Sequence, residues 1–527
     1  MVSRQARVFG IGVTLAGATL TGVTRAGVTL AGITLAAVTL AGTASVQAQP
    51  PGQAAPPPRA ATPAQPVAPG TIGPRTLAEA LAFTYSTQPA LQAERAKLRA
   101  TDENVPTALA GWRPTVVLAG TAGYGSGLSR EFSGLNALVG LDPRTKVLAD
   151  RDIASAQATV TQPLYTGGKV QATVNRAKDQ VMAERANLIT QEQSSFGNVV
   201  NAFVGNGFTP GVIVAQQLLQ LNINNEQVLA KQLEATNDRF RVGEITRTDV
   251  AQAEAALAGA TASRETAEGT LATARATFVQ IVGYEPPANL IEPQPLALPV
   301  RTEQEVAALA AANNPSVIFA EFNDSAAKDA VDVAFSQLMP QVSLQGQGFD
   351  QENPGTRSSE LTGYQVIAQV SVPLYQGGAE YSGVRQAKQT EQQTARLVLD
   401  AQRTAVQSAV NAWETLIAAT AAAASTRSAI RANEVALEGV EREAIVGSRT
   451  TLDVLNAQQA LLNSRVTLVQ NLGQLVTASY QVAAAIGRLT ARDLHLPVPL
   501  YDETAYYNAV KNKWFGLGDY ATSQPGR

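Results

Sequence analysis

The chain has 527 residues, a formal net charge of −3 from 40 Lys and Arg against 43 Asp and Glu, and no basic block, which argues against a nucleic-acid partner. It contains no cysteine, one histidine (His495) and three methionines, so thiol nucleophiles, Cys/His zinc sites and most imidazole chemistry are ruled out. Carboxylates are plentiful, yet no pair stands in a Gly-rich or aromatic setting, and we expect no enzymatic activity, no catalytic residue, no metal and no cofactor.

At the start, Arg4 and Arg7 precede a weakly apolar stretch of six pentads, "VTLAG ATLTG VTRAG VTLAG ITLAA VTLAG", and Val46 and Ala48 then supply the small pair that a signal peptidase reads. Residues 1–48 read as a signal peptide; Arg25 interrupts the stretch and leaves an uncleaved membrane anchor as the alternative. Residues 49–75 are Pro/Ala-rich and read as an extended linker. Beyond them no run of about 18 apolar residues occurs, so no transmembrane helix is expected in the mature chain.

The remainder reads as one unit written twice. "TLAEALAFTYSTQPAL" from Thr76 matches "TEQEVAALAAANNPSV" from Thr302, with Pro89 facing Pro315 and Pro114 facing Pro340 at an offset of 226. The offset falls to 210 at Pro163 and Pro373, which places a loop 16 residues longer after Pro114 than after Pro340. It falls again to 204 at Gly243 and Gly447. We take residues 76–295 as the first repeat and 296–490 as the second, each a helix, a strand pair and a long helical hairpin, with a tail over 491–527.

Each repeat opens its strand pair after a proline. In "YQVIAQVSVPLY" Tyr364, Val366, Ala368, Val370, Val372 and Leu374 take every second position, which is strand alternation; "PQVSLQGQG", "PTVVLAGTAGYG" and "ASAQATVTQPLY" follow the same rule less regularly. The second strand of each pair ends in "PLYTGG" or "PLYQGG". Pro163 and Pro373 are expected at a sheet rim, where a lost ladder hydrogen bond is tolerable. Gly167 with Gly168, and Gly377 with Gly378, are expected to turn the chain from strand into helix.

Helical pattern then takes over. From Gly378 to Val446 there are 69 residues without proline, with Val406, Val410, Trp413 and Ile417 as the apolar stripe. Past Gly447, Val454, Leu461, Leu468, Leu475, Val482 and Leu489 keep a seven-residue repeat, matched in the first copy by Val250, Leu257, Leu271 and Phe278 with Arg264 as a polar interruption. Gly243 and Gly447, after Val242 and Val446, stand where a helix end needs positive φ; Thr246 or Thr450 then caps the next helix, with Asp249 or Asp453 at N3 in place of the preferred Glu or Gln. One interval departs from the plan. The six extra residues of the first copy fall in "FVGNGFTPGVIVAQQ", whose glycines and Pro210 predict a looped or poorly ordered break in the helix, or a stretch read in a shifted frame around 204–215.

Strands of about ten residues match the length of tilted bilayer-spanning strands, which must close into a barrel, and four strands are too few to close one. The twofold "PLYxGG" with its long helix, the "FRVGEITRTDV" and "IVGSRTTLDV" turns, and the "QP" and "NP" landmarks together resemble the outer-membrane efflux protein (TolC-like outer membrane factor) family over residues 76 to 490. The resemblance implies an α+β membrane protein that is a homotrimer. Four strands per chain would build a shared 12-stranded outer-membrane barrel, and long antiparallel helices a periplasmic α-helical barrel. It also implies a passive channel in the outer membrane, embedded in outer-membrane lipid, serving a tripartite efflux or type I secretion system through a periplasmic adaptor (membrane fusion) protein and an inner-membrane pump or ABC exporter.

In that family the tip at Val242, Gly243, Val446 and Gly447 meets the adaptor, Asp453 matches an acidic position of the pore constriction, and Thr248, Asp249 and Arg449 match a polar network that holds the tip shut. Ala444 replaces a tyrosine often found in that network, and Asn456 replaces a second acidic position. Helix capping alone is the competing role for Asp249 and Asp453. The competing functions are a periplasmic adaptor, which carries one hairpin per chain, and a coiled-coil scaffold, which leaves the alternating strands without purpose. The tail is expected to be partly ordered and packed on the outside of the helical barrel, and His495 to be solvated or capping.

Overall fold

The computed structural model describes residues 74–518 except 133, 141–143, 149, 208 and 355–357. The expected signal peptide and the linker up to residue 73 lie outside the described residues. In chain order the first half contains α1 (Leu77–Thr87), α2 (Pro89–Asp102), α3 (Asn104–Leu109), β1 (Thr115–Gly125), β2 (Leu128–Phe132), α4 (Gly134–Leu138), β3 (Arg144–Leu148), β4 (Arg151–Tyr165), α5 (Lys169–Phe203), α6 (Val212–Arg241) and α7 (Arg247–Val282). The second half contains α8 (Glu303–Asn313), α9 (Pro315–Phe335), β5 (Gln341–Glu352), β6 (Glu360–Ser371), α10 (Ala379–Ile445) and α11 (Thr451–Ala485), and α12 (Ala505–Val510) lies in the tail.

The starts of the short helices follow from sequence. Thr76 and Glu79 form a reciprocal capping box at α1, Thr302 caps α8 through Glu305 N–H, and Pro89 and Pro315 occupy first-turn positions where no donor is lost. The strands form one antiparallel sheet in the order β1-β4-β5-β6, so the halves meet through β4 and β5. The longer first loop holds a second, two-stranded sheet of β2 and β3 with α4 between them. That loop is more than the plain connection expected.

The helices pack lengthwise. At 1.5 Å per residue the 67 residues of α10 run about 100 Å. Its buried seam is Ala405, Ala409, Ala412, Ala419 and Ala423, while Val406, Val410 and Trp413 are half-buried and Ile417 is 49 % exposed. The expected apolar stripe therefore flanks the true seam. Alanine lets neighbouring backbones approach, and the larger side chains are left beside the contact. Leu489, the last member of the heptad run, lies beyond α11 in the following turn, yet is buried.

The main core sits where α1, α5, α6, α7 and α11 converge. Phe203 and Phe278 meet there with ring centroids 6.2 Å apart, beside Leu81, Phe196 and Val476. The helix break between Phe203 and Val212 belongs to this core. Gly205 bridges Pro210, Gly211 N–H donates to Val204 O at 2.9 Å, and Thr477 Oγ1 donates to Gly205 O at 2.6 Å. Val204, Val212, Ile213, Val214 and Ala215 are all buried. The segment is looped as expected, but it is packed and hydrogen-bonded, with helix resuming at Val212.

Candidate functional site

Three features gather the residues singled out by sequence: the helical tips, the strand-to-helix turns and the sheet. At the tips both hairpins end in the same turn. Gly243 (φ 80°) and Gly447 (φ 79°) follow Val242 and Val446 in left-handed geometry. Glu244 N–H donates to Arg239 O at 3.0 Å and Gly243 N–H to Phe240 O at 2.9 Å; Ser448 N–H donates to Glu443 O at 3.0 Å and Gly447 N–H to Ala444 O at 3.2 Å. These are Schellman closures, and only glycine adopts the required φ without strain.

The next helix is capped in turn. Thr450 N–H and Oγ1 donate to Asp453 Oδ2 at 3.0 and 2.8 Å, and Asp453 N–H returns to Thr450 Oγ1 at 3.3 Å. Thr246 and Asp249 repeat the arrangement at 3.0, 2.7 and 3.4 Å. Asp therefore completes both capping boxes, although its side chain is one methylene shorter than Glu. Hydrogen bonds from Thr450, then the nearby charge of Arg449, lower the Asp453 pKa; those from Thr246 do the same for Asp249. Both carboxylates are thus negative at neutral pH. Thr248 is exposed.

Arg449 pairs with Glu443 at 2.9 Å, and in the first tip Arg239 pairs with Glu244 at 2.8 Å. Sequence reading missed Glu443, Arg239 and Glu244. The offset of 204 aligns Arg239 with Glu443, so each tip ties the last turn of one helix to its loop with the opposite polarity, a signal available from the alignment of the halves. The contacts named here for Asp249, Asp453 and Arg449 all run within their own tip. Val242 and Val446 are 78 % and 77 % exposed.

At the strand-to-helix turns Gly167 and Gly168 have φ of 64° and 86°, and Gly377 and Gly378 of 76° and 86°. Gly168 and Gly378 immediately precede α5 and α10. A Cβ on Gly167 would stand 2.5 Å from Met339 Cβ and 2.8 Å from Ser336 O, whereas one on Gly377 would meet nothing within 4 Å. At Pro163 the β4–β5 register slips before Tyr165, and Pro373 falls two residues beyond β6. Each proline stands where the ladder is already interrupted or finished.

Register assembles two unlike faces on the sheet. Val116, Val160, Gly346 and Val366 lie in one row across the four strands, and Leu118, Ala158, Gly348 and Tyr364 in the next. The other face brings Val117, Thr159, Gln347 and Gln365 together, then Ala119, Gln157, Phe349 and Gly363, and then Thr121, Ser155, Gln351 and Leu361. Gln365 donates to Gln347, and the Thr121 and Ser155 hydroxyls lie 2.6 Å apart. The apolar face is uncovered, with Leu118 81 % and Tyr364 88 % exposed. Among the described residues both β1 and β6 have one strand partner and one open edge. Among the described residues no helix is long and apolar enough to cross a membrane, and no group of three potential metal ligands occurs.

Comparison with known proteins agrees with this geometry. The sequence profile described as outer membrane efflux protein matches residues 84–284 and 306–488. The chain is 34 % identical over 446 residues to outer membrane efflux protein BepC of Brucella suis, covering 84 % of this chain and 92 % of that one. It is 27 % identical over 439 residues to outer membrane protein TolC of Vibrio cholerae, covering 81 % and 94 %. Among solved structures, the outer membrane protein VceC from Vibrio cholerae superposes with a TM-score of 0.65 at 20 % identity, covering 78 % of this chain and 96 % of that one. A non-enzymatic channel fold that sits in the outer membrane and extends into the periplasm is what these matches share with the sheet and helices above, and the chain belongs to the outer membrane efflux protein family.

Proposed function

We propose that three copies of this chain assemble into one export tunnel from periplasm to exterior, gated at the helical tips. The observation that carries this reading is the sheet: four strands, two open edges and an uncovered apolar face. Unpaired edge groups are not tolerated in lipid, and four strands cannot curl into a barrel. Pairing β6 of one copy with β1 of the next closes twelve strands, turns the apolar rows to lipid and leaves the Thr, Ser and Gln rows on the lumen. The half-buried large residues beside the alanine seam of α10 then find partners on a neighbouring copy.

The tips serve two roles in this assembly. Asp453, negative at neutral pH, rings the constriction, while Asp249, Thr248 and Arg449 belong to the network around it. Exposed Val242 and Val446, with Gly243 and Gly447, offer an apolar knob to the hairpin of a periplasmic adaptor, which links the tunnel to an inner-membrane pump or ABC exporter. The two repeats at 76–295 and 296–490 supply two of six equivalent parts of the wall. Extraction from outer membranes as a trimer with single-channel conductance in a planar bilayer is the expected result; a monomer recovered in the soluble periplasm overturns the assembly.

A further inference from the structure

We infer that residues 511–518, directly after α12, form an interfacial anchor that lies on the phospholipid of the periplasmic leaflet, with Trp514, Phe515 and Leu517 at the acyl boundary and the positive charges of Lys511, whose Nζ is held by Asn508 Oδ1 at 2.9 Å, and Lys513 on its flank. The inference rests on the outer-membrane placement of the sheet and not on the number of copies.

The first support is position. Arg113, two residues before β1, donates from Nη1 to Lys513 O at 2.7 Å, and its guanidinium lies 4.9 Å from the centre of the Trp514 ring. The segment is therefore pinned level with the end of the sheet from which α5 and α10 depart, which is the periplasmic rim. Tyr506 Oη donates to Glu103 at 2.9 Å, and Tyr507 packs on the cluster of Val105, Val170 and Val174. Attachment to the helices is thus already provided by α12, whose Val510 is 1 % exposed.

The residues that follow are the opposite. Trp514 is 65 % exposed, Phe515 90 % and Leu517 105 %. Scattered exposed apolar side chains are ordinary, but here three stand within four positions, and beyond the Arg113 contact of Trp514 the rings and Leu517 face outward, with Phe515 and Leu517 almost wholly exposed. They continue a band on the same rim, where Trp112, Tyr165 and Tyr375 are also exposed, at 38 %, 47 % and 77 %. Aromatic side chains at the headgroup level are how outer-membrane barrels are fixed at their interfaces, and nearby lysines add attraction to anionic lipid. Continuity with the lipid-facing rows of the sheet and the basic flank together select lipid as the occupant.

The test uses the full-length protein in vesicles of phosphatidylethanolamine and phosphatidylglycerol. Because the chain has no cysteine, Leu517→Cys and Phe515→Cys can each carry a single nitroxide, with Leu118→Cys as a control on the apolar face. Collision with dissolved oxygen is expected to exceed collision with a water-soluble nickel chelate at positions 515 and 517, at a shallower depth than at 118. Chelate-dominated collision at both tail positions, with 118 still in lipid, overturns the anchor while leaving the barrel intact. Exclusion of both agents overturns it too, since the tail is then covered by protein, including a neighbouring copy. Failure at 118 as well would instead refute the placement of the sheet. Lys511→Glu with Lys513→Glu is expected to move the labels toward water in the anionic vesicles and not in phosphatidylcholine; unchanged depth in both removes the lysines from the anchor.

Discussion

At the level of single residues, Asp453 carries two separable duties. Asp453 stands at N3, where an Asn amide oxygen can still accept from Thr450, so Asp453→Asn removes the charge and keeps that half of the capping box, whereas Asp453→Ala removes both and leaves only the bond from Asp453 N–H to the Thr450 hydroxyl. We expect both variants to weaken cation preference and block by multivalent cations in single-channel records, and only the alanine variant to lower the thermal midpoint. Unchanged ion selectivity in Asp453→Asn would leave this residue as a cap alone. A second residue, far from the tips, makes stability depend on pH. Glu192 accepts Ala491 N–H at 2.6 Å, and burial raises its pKa to about 7 against the lowering effects of that bond and of Arg95. The folded protein therefore keeps a proton that the unfolded chain releases near 4.3. The stabilisation is fully present below about pH 4 and is lost as pH rises through about 7. Glu192→Gln keeps the acceptor and removes the titration, so its thermal midpoint should exceed that of the parent near pH 8 and converge with it near pH 4. Identical midpoints across that range would show that burial leaves Glu192 titrating as it does in the unfolded chain.

Between elements, the same motif is constrained differently in its two copies. Gly167 and Gly377 share a left-handed φ, and any L-residue pays roughly 1–2 kcal/mol for that geometry. Only Gly167 also faces backbone and Met339 at contact distance. Gly167→Ala should therefore lower stability more than Gly377→Ala, measured as the loss of trimer in semi-native electrophoresis after graded heating; equal losses would mean that conformation alone matters. The loop between α5 and α6 is likewise held by tertiary contacts. Thr477 is buried and its hydroxyl serves the Gly205 carbonyl, so Thr477→Val strands a buried acceptor at a cost of about 1–3 kcal/mol. Increased proteolysis between residues 203 and 212 is the expected readout, and full resistance would show that apolar packing alone holds the loop. Sequence located this break from Gly and Pro. It did not reveal that the break is sealed, because the sealing residues come from α11, some 270 positions away.

For the whole molecule, the chain is half of each of its own surfaces. Among the described residues its sheet has two open edges, its longest helix leaves large side chains beside an alanine seam, and its tips expose paired valines; in the proposed assembly neighbouring copies would cover the first two and an adaptor the third. Cross-linking Cys residues placed on β1 and β6 should give covalent trimers in intact outer membranes, and exclusive monomers would refute edge pairing. Much of this was legible in the primary structure. Period-2 and period-7 patterns, Pro and Gly punctuation and capping residues are local and act over a turn or a strand, so the sequence by itself determined the four strands of the main sheet, the long helices after them and both tip turns, but not the small β2–β3 sheet in the first loop. The tertiary structure decided what depends on distant partners. It alone set the β4–β5 junction between the halves, the alanine seam that displaced the expected stripe of α10, the sealing of the α5–α6 break by Thr477, and the pinning of the tail by Arg113. Each of those needs residues brought together across the fold, where side-chain size and charge compete for one contact, and no local period records the winner.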